Sequence, residues 1–155
     1  VSFAPTSPVT GGAQTGLTSP TYTHVSDVAP DATGKQYAVT ALGGTQTGVN
    51  IHSASSPFTV TMFRPKSFKS LGVPDPSNGI YYSVGKNTWK FIVRKGVIPA
   101  ADQPAKSLIA TLTIDVPAGS DSYDAANVRA AMSLLIGTLN QCSAGIGDSL
   151  VSGIL

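Results

Sequence analysis

At 155 residues the chain is expected to be one domain, long enough to bury a core without disulfide or metal staples. Only 12% of residues are charged, about half the usual share, and Ser, Thr and Gly fill the gap; such a surface suits burial between subunits better than life as a dilute monomer. The net charge is +2, yet eight of the ten basic residues lie between Arg64 and Lys106, opposed there by Asp75 and Asp102, so that span carries eight minus two, or +6. A basic middle points to a polyanion partner, and the same charges would equally serve to solvate loops and an exposed edge.

The elements follow in chain order. Residues 1–19 read as an irregular arm, with at most a weak strand near Ala13–Leu17. Pro20–Asp27 reads as a strand, and Val28–Gly34 as a turn cluster. Lys35–Leu42 alternates as the next strand, Gly43-Gly44 predicts a turn, and Thr47–Ser53 is a third strand candidate. Phe58–Arg64 places Phe58, Val60 and Met62 on one face and Thr59, Thr61 and Phe63 on the other. Pro65–Asn87 is a long connection in which Ile80–Val84 could extend a strand.

Thr88–Lys95 then alternates cleanly, Trp89, Phe91 and Val93 against Thr88, Lys90, Ile92 and Arg94. Gly96–Ala105 is a loop. In Ser107–Asp115 the residues Leu108, Ala110, Leu112 and Ile114 oppose Ser107, Ile109, Thr111 and Thr113. Val116–Ser120 ends that strand, and Asp121 or Ser122 is placed to cap a helix. Val128, Ala131, Met132, Leu135 and Leu139 recur at helical spacing from Tyr123 to Asn140. Gly145–Leu155 is a second helix, with Ile146, Leu150 and Ile154 four apart. Strands first and helices last predict an α+β fold with an antiparallel sheet, 20–115 forming hairpin and sheet and 122–155 two helices. Those helices could fold over their own sheet or reach onto a second copy.

Catalytic chemistry is thin. Glu is absent, His24 and His52 have no acidic or Cys neighbour in sequence, and neither a phosphate loop nor metal-ligand spacing occurs. An enzyme is not expected, nor a cofactor or metal. The single Cys142 excludes an internal disulfide, no apolar run approaches a membrane span, and the first residues show no secretory-signal pattern. The expected settings are the cytosol or a released particle. The face carrying Thr59, Thr61, Thr88, Lys90, Arg94, Ser107, Thr111 and Thr113 is polar and partly basic, which suits phosphate and RNA; a solvated sheet face would look the same.

The run Leu112–Asp121, the helix Asp124–Leu139 and the ending Ser149-Leu-Val-Ser-Gly-Ile-Leu155 resemble the coat proteins of single-stranded RNA bacteriophages. Gly34–Gly44 and Ser56–Pro65 are similar to the same family, and the order of elements agrees along essentially the whole chain. The resemblance implies an N-terminal β-hairpin, a five-stranded antiparallel sheet and two C-terminal α-helices in an intertwined homodimer, each subunit's helices crossing the partner's sheet. It implies an icosahedral capsid, assembled in the bacterial host cytoplasm around genomic RNA, and an operator hairpin bound to repress replicase translation. By position, the RNA-facing residues would be Thr59, Thr61, Phe63, Thr88, Lys90, Ile92, Arg94, Ser107, Ile109, Thr111 and Thr113. The dimer interface would hold Val128, Met132, Leu135, Leu139, Ile146 and Leu150, and the loop Gly96–Lys106 would gather at symmetry axes. The alternative reading is a secreted or surface β-rich binding module of adhesin or pilus type.

Overall fold

A computed structural model of the chain describes residues 2–155. The strands are β1 (Val9–Thr10), β2 (Thr18–Asp27), β3 (Gly34–Thr45), β4 (Phe58–Phe63), β5 (Lys86–Val97) and β6 (Lys106–Pro117). The helices α1 (Ser120–Tyr123), α2 (Ala125–Gln141) and α3 (Ser143–Ser152) follow. All six strands form one antiparallel sheet in sequence order, so β6 is an edge strand along its whole length. The α+β fold read from the sequence holds, with the N-terminal hairpin built into the sheet: β1 pairs with β2, Val9 opposite Tyr22. Residues 13–17, the weak strand candidate, lie in a loop.

Other expectations differ. Gly43 and Gly44 do not turn the chain; β3 runs through them to Thr45. Gly44 has φ +70 and faces Ser19, itself at φ 46, across a register shift in the β2–β3 pair, so a bulge absorbs the irregularity. A Cβ on Gly44 would collide with the carbonyl oxygens of Thr18 and Ser19.

Residues 47–53 form no strand, because His52 ties them down as a loop. Its N–H donates to the Val39 carbonyl (2.9 Å), and its Nδ1 accepts the Phe58 N–H (3.0 Å). Ile80–Val84 is irregular as well.

The C-terminal part has a short extra helix. Gly119, at φ 88, precedes α1 without a side-chain cap, so neither Asp121 nor Ser122 caps it. Asp124 (φ −129, ψ 44) breaks the helical path before α2. α3 starts at Ser143 and ends on Gly153 (φ 75), whose N–H reaches Ser149 O, the left-handed stop that glycine permits.

Little apolar surface is enclosed. Ala38, Val39 and Ala118 are the buried hydrophobic residues among those described, and no residue of α2 or α3 is buried. The accessible surface is 10569 Å². A compact monomer of this mass would expose about 7,300 Å², roughly 3,000 Å² less.

The arm provides a partial roof on one side of the sheet: the Phe3 ring meets Tyr37 and Phe91 edge-on, each at 5.7 Å. α3 is held at the N-terminal loop, where Gln14 Nε2 donates to Ser143 O (2.8 Å) and Thr15 Oγ1 to Asp148 (2.9 Å). Val128, Met132 and Leu135 are half-buried, while Leu139, Ile146 and Leu150 are exposed, so their own chain leaves all six proposed interface residues uncovered in part.

Candidate nucleic-acid interface

Residues paired directly across an antiparallel ladder lie on the same face. Thr59 pairs with Arg94 and Arg94 with Ile109; Thr61 pairs with Ile92 and Ile92 with Thr111; Phe63 pairs with Lys90 and Lys90 with Thr113. Thr88 lies opposite Asp115, and Ser107 opposite Gly96. The register therefore brings all eleven sequence-predicted residues onto one side of the sheet. Clean alternation in β4, β5 and β6 produces this result, since no bulge interrupts those pairings.

Access is uneven. Lys90, Ser107, Ile109, Thr111 and Thr113 are exposed, while Phe63, Thr88, Ile92 and Arg94 are half-buried. Thr61 is 0% exposed and Thr59 4%, so these two form the floor. The Thr61 hydroxyl donates to Gln36 Oε1 at 2.8 Å, and Gln36 Nε2 donates in turn to Asp27 (2.7 Å). Arg94 is half-buried, and its Nη1 is enclosed without an acceptor among the described residues. Thr88 Oγ1 donates to Asp115 at 2.5 Å, which sets a carboxylate at one end of the face.

A recess of about 510 Å³ opens on this side, lined by Phe63, Lys90, Ile92 and Arg94 from the strands and by Asp31 and Lys66 from adjoining loops. Asp31 is held at about 2, below the usual carboxylate range, first by the Thr33 N–H, then by Lys66 at 3.0 Å and the Thr33 hydroxyl. Arg64 N donates to Thr33 O (3.1 Å), closing the two loops together. Gln36, Asp31 and Lys66 were not among the predicted site residues. Gln36 could have been found, because it alternates with Tyr37 on the polar side of its strand; nothing local marks Asp31 or Lys66.

The opposite side is apolar. Tyr22, His24, Val39, Phe58, Val60, Phe91 and Val93 surround a cavity of about 540 Å³ beneath Phe3 and Pro5. Burial raises the Tyr22 pKa above its ordinary value. Lys95, predicted within the basic middle, lies on this side: it sits 4.7 Å from the Phe58 ring centroid and donates to Asn50 O, and burial lowers its pKa. Cations and hydroxyls on one face and aromatic and aliphatic groups on the other can bind an anionic polymer on the first and pack protein on the second. No cluster of His, Cys and Asp suited to a metal occurs among the described residues, and no helix there is long and apolar enough to cross a membrane.

No family model matches the chain, and no curated protein matches it. Among solved structures it is similar to the chain described as the virus-like particle of bacteriophage ESE020. The two are 61% identical with a TM-score of 0.96, over 99% of this chain and 100% of that one. A match of this extent to a particle-forming protein agrees with a structural rather than a catalytic role and with a place in the capsid of a virion, and it sets aside the surface-module alternative. The chain belongs to the bacteriophage coat proteins, the subunits from which such particles are built.

Proposed function

We propose that the protein is the coat protein of a single-stranded RNA phage, working as a homodimer that closes an icosahedral shell around genomic RNA. One observation carries the reading: Lys90 and Arg94 occupy one side of a sheet whose other side is apolar and is not covered by the chain's own α2 and α3. A second copy supplies the missing cover. The β6 edge pairs with its equivalent, and Val128, Met132 and Leu135 of each α2 cross to the other sheet, with Leu139, Ile146 and Leu150 beside them. This use of a partner accounts for an exposed area far above that of a compact monomer.

The polar side then faces the shell interior. Lys90, Arg94 and Lys66 contact phosphates, and Thr111, Thr113 and Ser107 donate from the edge strand. An operator hairpin would occupy the same face when the dimer represses translation. The exposed loop between β5 and β6 is placed at the symmetry axes, and assembly occurs in the host cytoplasm.

Expression in bacteria tests the reading. Particles seen by electron microscopy, with nucleic-acid absorbance that co-sediments, are the expected result. A soluble monomer at high concentration without nucleic acid would overturn it.

A further inference from the structure

The connection between β4 and β5 carries several apolar side chains that remain exposed. Between Phe68 and Val84 the side chains of Phe68, Val73, Ile80, Tyr81 and Tyr82 are exposed, Val73 at 93% and Tyr82 at 73%. Lys69 and Asp75 are the charged residues in this stretch, and they cancel. Exposed apolar area of this density marks an interaction site on a soluble protein. Its mix of aromatic and branched residues with few charges is that of an interface core.

The segment is also pre-shaped. Asp75 organises its tip: Asp75 N donates to Ile80 O (2.9 Å), Gly79 N to Asp75 O (2.7 Å) and Ser77 N to the Asp75 carboxylate (2.8 Å). Asn78 Nδ2 donates to the Tyr82 hydroxyl at 2.7 Å. At the base, Asn87 exchanges two hydrogen bonds with the Lys69 backbone (2.8 and 3.0 Å), and Phe68 stands edge-on to Trp89 at 5.9 Å. Leu71 lies beside Gly119, and Ala118 N donates to Gly85 O, which fixes the loop to the junction of β6 and α1. A crest ordered before binding loses little conformational entropy on docking.

The partner follows from charge and position. Trp89 and Asn87 alternate with Thr88 and Lys90, so the loop is anchored on the apolar side, away from the basic face. The crest has no net charge and so lacks the electrostatic draw on phosphates that the basic face has. It rises from strand ends, whereas side-by-side joining of two sheets uses the length of β6. In a shell the surface met by every such crest is another copy of the same chain, and a protein 61% identical over the full length builds a particle.

We propose that this loop is a contact between neighbouring dimers, additional to the β5–β6 loop: its crest, centred on Val73, Ile80 and Tyr82, seats against a copy of the chain in the next dimer and plays no part in forming the dimer itself. The proposal rests on the coat-protein reading with a dimeric building block.

The test is the double variant Val73→Asp/Ile80→Ser, assayed by light scattering, thermal melting and electron microscopy. The expected result is a dimer of unchanged mass and melting temperature whose particle yield at fixed concentration falls at least tenfold, while Val73→Ile assembles as wild type does. Normal particles from the double variant would overturn the proposal. A monomeric double variant would also overturn it, because the crest would then belong to the dimer. RNA-filled shells from wild type with an indifferent crest would sink this inference and leave the coat-protein reading standing; failure of wild type itself to assemble would sink both.

Discussion

The hydroxyl of Thr61 donates to Oε1 of Gln36 across the β3–β4 pair at 2.8 Å, with Thr61 wholly out of water. A side chain that the alternation of β4 places on the basic face is thus already committed to the protein. Thr61→Val keeps the shape and removes the donor, leaving Gln36 Oε1 with an unmet need. The expected loss is about 1 kcal/mol of stability by denaturant titration. RNA affinity should stay within about twofold, because no ligand reaches Thr61; a tenfold drop in a folded variant would show direct contact instead.

Lys90 and Arg94 differ from Thr61 in reaching the surface of the same face. Replacing both by Ala should lower the RNA content of particles. It should also reduce the salt dependence of RNA binding by about 1.4 in the log–log slope, the release expected for two phosphate contacts on a single strand. Titration at several salt concentrations measures this. An unchanged slope would remove both residues from the interface.

Asp31 sets an acid-side dependence. Its folded-state pKa is near 2, below the ordinary 3.8. A depressed carboxylate contributes stability that is complete above the unfolded value and is lost as pH falls through the folded one. The gap in melting temperature between wild type and Asp31→Asn should therefore be constant from pH 7 to about 5 and close between about pH 4 and 2. Lys66 is largely exposed, so added salt should shrink the gap at neutral pH. A gap that persists at pH 2 would contradict the assignment.

Gly44 meets a backbone rather than a side chain. Gly44→Ala must place a methyl group at φ +70 against two carbonyl oxygens. The expected cost is about 1–3 kcal/mol, read from chemical unfolding. A neutral substitution would mean that the β2–β3 bulge relaxes freely.

His52 holds a loop through its unprotonated Nδ1. His52→Ala should speed amide hydrogen exchange at Phe58, whose N–H loses its acceptor, while amides in β6 keep their protection. Equal protection of Phe58 in both proteins would count against the tether.

Much of this could be read from the residues. Thr59–Phe63, Thr88–Arg94 and Ser107–Thr113 each alternate with period two, and apolar partners such as Val60, Phe91 and Leu112 fix which side is which. Val128, Met132 and Leu135 likewise announce a helix. What failed was governed by distant parts of the chain. Gly43-Gly44 has the composition of a turn and continues a strand because Ser19 bulges opposite. Val49 and Ile51 alternate as a strand would, but His52 spends its hydrogen bonds on Val39 and Phe58. The recess is completed by Asp31 and Lys66, which meet only once β3 pairs with β4 and sets Gly34 opposite Phe63, and Phe3 finds Tyr37 and Phe91 from an arm with no pattern of its own.

The scarcity of enclosed hydrophobic side chains has a thermodynamic corollary. In the proposed dimer part of the apolar burial crosses from one polypeptide to the other, so unfolding is bimolecular in reverse and its midpoint climbs as the solution is made more concentrated. No single melting temperature describes such a molecule unless the amount in the tube is quoted beside it.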